Sequence, residues 1–250
     1  MDLTAFSSDR LTRICAGLAA GTFLALIHGM ITITSKADQI ITGIALNLFS
    51  LGITKLCCQL IFQSSSNSAR IGGIEAWNTG AVHPVMTLLT NPIILFTLGI
   101  AIASHPVLFH TKYGLRLRSV GEHPGAADSL GISVSRLRYS GILVSGALSG
   151  IGGAWLALDQ HSFTDGMSAG RGFIALAAVI VGKWKPLGAT MACLIFAAAE
   201  TVVIHLQGSV IPFQFIQMIP YVITMIILAG FIGKATPPAA DGTPYNTEQD

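Results

Sequence analysis

Of the polar side chains inside apolar runs of this 250-residue sequence, His28, Asn47, Lys55, Glu200 and His205 are the leads. Ionisable and amide groups are costly in such surroundings unless they face a bundle interior or a water-filled path, so these residues have chemistry to offer. Glu200, set between FAAA and TVVI, must be paired, solvated by a cavity or protonated. It can then hydrogen-bond the hydroxyls or amide edges of a ligand, hold a neighbouring helix, or carry a proton. Asn47 can donate to and accept from a polar solute or bridge two helices, while Lys55 can snorkel to the interface. His28 and His205 can line a pathway or pack. No His, Cys or carboxylate cluster stands at helical spacing around either, so no metal site is expected. As an acid–base pair Glu200 and His205 fail on geometry: five positions apart, they lie about 140° apart around a helix. No catalytic residue is assigned.

Other candidate motifs dissolve on inspection. GFIGKAT (230–236) has a Gly-Lys pair, but a phosphate loop needs four residues between its first glycine and that pair, then Ser or Thr after the lysine. Ala235 follows Lys234 here, so no cofactor is expected in this chain and any ATP must be bound by another. Cys15, Cys57, Cys58 and Cys193 all fall in apolar runs without zinc or disulfide spacing and read as packing thiols.

These residues must be positioned by membrane helices. Hydrophobic residues make up 52% of the chain and charged ones 10%, with mean hydropathy +0.66, which is a membrane composition. Runs long enough to span lie at 14–34, 40–62, 91–110, 139–158, 187–206 and 214–233. A seventh, 172–182, would extend only about 16 Å as a helix against a hydrocarbon core near 30 Å, and so reads as a broken or re-entrant segment unless extended by 168–171. The expected fold is all-α, a polytopic transmembrane bundle of about six or seven helices. Gly17 and Gly21, and Gly146 and Gly150, have the small-xxx-small spacing that lets helix backbones approach closely. Arg10 and Arg13 precede an apolar stretch too long for a signal peptide. The net charge of +2 is ordinary for a membrane protein with basic loops, so no nucleic-acid partner is expected.

Charge is concentrated in 112–138, which holds Lys112, Arg116, Arg118, Arg136 and Arg138, five of the fourteen Lys and Arg. The positive-inside tendency places this loop in the cytoplasm. Counting crossings from there puts 63–90, with Trp77 as a candidate interface residue, and 159–171, with Asp159, His161, Asp165 and Arg171, outside. Those four could meet an external receptor or bond locally, with Arg171 also placed as an interface anchor. If 172–182 crosses, Lys183, Lys185 and a solvated tail from Lys234 fall inside. The same count puts the N-terminus outside, in conflict with Arg10 and Arg13.

GIALNLFSLGIT (43–54), YGLRLRSVGEHPGAADSLGI (113–132), YSGILVSGALSGIGGAWLAL (139–158), GRGFIALAAVIVGKWKPLGA (170–189), MIPYVITMIILAGF (218–231) and the tail PPAADGTPY (237–245) recur in order along nearly the whole chain. Together they resemble the permease subunits of bacterial ATP-binding-cassette (ABC) importers for simple sugars and nucleosides, in the branch served by lipoprotein receptors of the basic membrane protein type. The resemblance implies one transmembrane permease domain over 1–233 in the bacterial inner membrane, with a cytoplasmic coupling loop at 111–138 and a cytoplasmic tail at 234–250. It implies half of a pore for a nucleoside, sugar or similarly hydroxylated solute. The implied partners are a second permease (homologous or identical), an ABC ATPase, a periplasmic or lipoprotein substrate-binding protein and membrane lipid. Relatives carry further membrane segments ahead of the position of Gly17, and a preceding crossing would reconcile Arg10 and Arg13 with the count.

In such permeases a short coupling helix fits a groove on the ATPase, and the matching residues here are Gly121, Glu122, Pro124, Ala126, Ala127, Gly131 and Ile132. Pro124 suits a helix start, Ala126 and Ala127 favour a helix while offering a flat face, Gly131 suits its end, and Glu122 suits the N-terminal dipole. The acid common in other importers' coupling motif is displaced: Gly125 stands at its position, with Glu122 upstream. A path through His28, Asn47, Glu200 and His205 is the corresponding expectation for the solute. The rival is a proton-coupled secondary transporter with Glu200 as carrier.

Overall fold

A computed structural model describes residues 3–70, 92–168, 170–206, 222 and 236–245. The expected span at 214–233, Trp77 and Lys234 lie outside the described residues, apart from Val222 within that span. Eight α-helices are described: α1 (Leu3–Gly29), α2 (Gln39–Phe62), α3 (Pro92–His110), α4 (Lys112–Glu122), α5 (Pro124–Ser129), α6 (Val134–Asp159), α7 (Arg171–Val181) and α8 (Pro186–Leu206), with a π-helical turn at Met30–Thr34 after α1. Among the described residues, five stretches are long and apolar enough to cross a membrane: Leu11–Thr34, Gln39–Phe62, Ile93–His110, Val134–Asp159 and Pro186–Val203. The fold is thus the all-helical bundle the hydropathy pattern predicts.

The chain divides into two compact units. The first takes residues 1–91, 116–169 and 239–250, the second 92–115 and 170–238.

In the first unit α1 and α6 pack antiparallel through their glycines. A Cβ at Gly17 would lie 2.7 Å from the Gly150 carbonyl oxygen, and one at Gly21 2.8 Å from Gly150 Cα. Neither position tolerates a side chain, which is the close approach that small residues permit in lipid. At the far end of this seam Gly29 abuts the Tyr139 ring, Thr34 Oγ1 and Tyr139 OH share a hydrogen bond of 2.6 Å, and Thr32 Oγ1 donates to the His28 carbonyl at 2.8 Å. The π-helical turn therefore anchors the end of α1 to the start of α6. α2 begins at Asp38, whose carboxylate accepts from the amides of Ile40 (2.8 Å) and Ile41 (2.9 Å), satisfying two of the free donors at the helix start.

Beyond the opposite ends of α2 and α6, Ser68 N donates to Phe163 O at 2.9 Å and Asp165 N to Ser66 O at 2.7 Å, clipping the two loops together. Lys55 reaches this clip and pairs with Asp165 at 3.2 Å.

In the second unit α7 packs on α8 through Ala178, Ala192 and Phe196, flanked by Ile174, Ala177 and Val181. The turn between them brings Gly182 against Gly188, and Lys183 and Trp184 take left-handed backbone angles (φ 55° and 59°) to make it.

Large apolar side chains face outward along the spans, among them Ile40 and Ile41 (both 70% exposed) and Leu48 (64%). Lipid or a second membrane subunit is the environment that suits such a surface.

Candidate functional site

The basic stretch between the third and fourth spans is helical almost throughout. On α4, Gly114 and Val120 are buried while Lys112, Arg116 and Arg118 are exposed. Thr111 Oγ1 accepts from Gly114 N at 3.1 Å at its start. His123 breaks the helix, and α5 follows with Pro124 in its first turn, where the missing amide is harmless. Gly131, at φ +76°, reverses the chain, and Ile132 N closes the turn on the Ala127 carbonyl at 3.1 Å. The short helix, its proline start and its glycine end thus form where the sequence places them.

Its faces divide differently from the expectation that both alanines lie on a contact face. Ala127 is 2% exposed, packed with Val120 (3%) and Val134 (2%), with Ile132, Leu137 and Tyr245 around them. Glu122, His123, Ala126, Ser129, Leu130 and Gly131 form the outward rim, on which Leu130 is 79% exposed. An unsupported six-residue helix must bury one side to persist, and Ala127 is the residue that does so.

The tail, expected as a solvated end, is largely exposed and is also docked on this segment. Ala240 N donates to the Gly121 carbonyl at 2.9 Å, Ala239 N to Glu122 Oε2 at 3.4 Å, Arg138 Nη1 to the Thr243 carbonyl at 2.9 Å, and Tyr245 OH to Asp128 Oδ2 at 3.1 Å. Both segments therefore lie on one face of the first unit.

Within the first unit, an open groove of about 450 Å³ runs between α1, α2 and α6. His28, Ser145 and Ser149 supply its polar groups, and Gly21, Gly43 and Leu46 are among its apolar walls. Its volume falls in the range of small-molecule sites. Asn47 is exposed on the outer face of α2, one residue beyond the groove. In the second unit Arg171 Nη2 donates to Glu200 Oε1 at 2.9 Å, tying α7 to α8. His205 is exposed further along α8. Among the described residues no group of three or more His, Cys, Asp or Glu is placed to hold a metal.

Residues 4–230 match the family described as branched-chain amino acid transport system / permease component. The chain belongs to that permease family. It is a multi-pass inner-membrane permease subunit of an ABC importer. Over 93% of its length it is 39% identical to the guanosine ABC transporter permease protein NupQ of Bacillus subtilis, of which it covers 76%. It is likewise 39% identical over 93% of its length to the nucleoside ABC transporter permease protein NupC of Lactococcus lactis, again covering 76%. A more distant relative, NupB of the same Lactococcus, is 24% identical over 91% of the chain. No solved structure matches it.

Three features of the permease escaped sequence reasoning. Arg171, read as a receptor contact, a member of a local salt bridge or an interface anchor, pairs instead with Glu200, 29 positions along the chain. Lys55 snorkels, but to a specific carboxylate, Asp165. The tail is part of the basic segment's fold rather than a free end. Each joins residues distant in the chain, and no local pattern marks such pairs.

Proposed function

We propose that the permease imports nucleosides, forming half of a pore with a second permease, receiving solute from an external binding protein and drawing energy from a separate ATPase. ATP binds on that ATPase, and this chain performs no covalent chemistry. The observation that supports the reading best is the exposed rim Glu122–Gly131 around the buried Ala127, a small preformed knob at the face bearing the basic residues. Its shape and setting suit insertion into a groove of an ATPase, with Gly121, Glu122, Pro124, Ala126, Gly131 and Ile132 at or beside the contact and Ala127 holding the helix from within. Closure of the ATPases then biases the pore between outward and inward access.

The nucleoside assignment draws on the names of the two relatives at 39% identity, and the groove offers suitable partners for ribose hydroxyls and a base in His28, Ser145 and Ser149. Asn47, on the outer face of α2, would meet solute or the second permease. The Arg171–Glu200 pair favours a structural role for Glu200 over a proton carrier.

Uptake of labelled uridine, guanosine and ribose in cells with and without the gene, before and after ATP depletion, tests this. Loss of nucleoside uptake with the gene, and its collapse on ATP depletion, is expected. Uptake that survives ATP depletion but follows the proton gradient would overturn it.

A further inference from the structure

The four tail contacts fall on three different segments of the coupling region. Ala239 and Ala240 bond the end of α4, at Glu122 and Gly121. Tyr245 bonds α5 at Asp128, and the Thr243 carbonyl takes the guanidinium of Arg138 in the first turns of α6. Gly242, with a φ of +74°, turns the chain between these contacts, and Thr243 N donates back to the Ala240 carbonyl at 3.4 Å. The reversal returns the Tyr245 ring to the cluster of Val120, Ala127 and Val134, one buried residue from each of the three helices.

Without the tail, two breaks separate these helices. One is at His123, and the other is the exposed turn Leu130–Ser133. A six-residue helix held between such breaks can tilt when pushed, because short helices have little stability of their own. Because the tail contacts bridge both breaks, we infer that residues 239–245 are a brace that locks α4, α5 and the start of α6 into one body. Force applied to the outward rim then passes to α6 instead of bending the two breaks. α6 in turn is pinned to the end of α1 by Tyr139, Thr34 and Gly29 and along the glycine seam, so a push on α5 moves a helix pair bordering the groove. Tyr245, Arg138 and Asp128 are positioning residues in this device; none touches solute or ATP. The brace rests on the proposal that an ATPase docks on this rim.

The test uses the complete importer, with receptor and ATPase, in lipid nanodiscs for ATP hydrolysis and proteoliposomes for uptake. A stop codon at Ala239 removes the brace. The expected result is at least a fivefold rise in ATP hydrolysed per solute imported, with amide hydrogen exchange at Ala127 and Ile132 at least tenfold faster. If the truncated chain fails to accumulate, Tyr245→Ala and Tyr245→Phe replace it: loss of the ring raises the ratio and the exchange, and loss of the hydroxyl alone raises both less. A tail that only aids folding lowers hydrolysis and uptake together, leaving the ratio and the exchange in assembled protein unchanged, and that result overturns the brace. If the unaltered importer shows no ATP-driven uptake, the docking proposal fails first; the hydrogen-exchange arm reads the brace independently of it.

Discussion

Replacing Glu200 or Arg171 separates a structural ion pair from a proton carrier. The guanidinium and carboxylate meet at 2.9 Å, with side chains 42% and 47% exposed. Taking the charge centres about 4 Å apart, their attraction is about 1 kcal/mol in bulk water and about 4 kcal/mol at an effective dielectric constant near 20. Half-exposure favours the lower part of that range, so a coupling of about 1–2 kcal/mol is expected after screening. Each single variant also strands a lone charge on a membrane helix, which adds to its cost. Glu200→Gln and Arg171→Met should therefore each lower unfolding stability in detergent by about 2 kcal/mol. The double variant should cost clearly less than their sum. The reversed pair, Arg171→Glu with Glu200→Arg, should restore both membrane level and uptake to near the original. Additive single effects would refute the pairing. Normal stability in Glu200→Gln with abolished uptake, not rescued by reversal, would restore the carrier reading.

Further outcomes follow from the packing. Gly150→Leu places a side chain where a Cβ alone would lie 2.9 Å from the Gly17 carbonyl carbon; separating α1 from α6 should cost several kcal/mol, about 3 or more, and remove the protein from the membrane on immunoblots. Ala126→Arg, on the outward rim, should leave membrane level intact while cutting ATP-driven uptake at least tenfold. Ala127→Arg should fail differently, because this side chain is 2% exposed: its cationic head displaces the Val120–Val134 contact, and membrane level falls along with uptake. His28→Ala in the groove should raise the KM for nucleoside uptake by about 5- to 30-fold, as loss of one polar contact of 1–2 kcal/mol would, with little change in membrane level.

Most of the bundle was legible because apolar length is a direct record of span. The runs at 40–62, 91–110 and 187–206 agree with α2, α3 and α8 within a residue or two. The first run falls short of its helix because α1 continues back to Leu3 through a polar segment that hydropathy does not score as span. The short coupling helix was legible too, since Pro124 and Gly131 are local signals for helix start and chain reversal. What α5 buries was not. Ala126 and Ala127 look alike in sequence, and only the cluster from α4, α6 and Tyr245 decides that Ala127 turns inward. The docking of the tail is illegible for a related reason. Pro, Gly and polar residues suit a solvated end, yet Ala239 and Ala240 bond through backbone amides, which no composition reveals. Glu200 reads from the sequence as needing a partner, a cavity or a proton, but nothing local points to Arg171, 29 positions away, whose loop position suits a receptor contact, a local salt bridge or an interface anchor equally.

If a separate ATPase drives this permease by docking on the rim of α5, it must cover Leu130, the most exposed large side chain there, at 79%. A photo-crosslinking residue placed at position 130 in cells, followed by mass spectrometry of the adduct, checks this docking. One dominant adduct with a polypeptide bearing a phosphate-binding loop is expected. Efficient crosslinking at position 130 to lipid alone, or to proteins without such a loop, would contradict it.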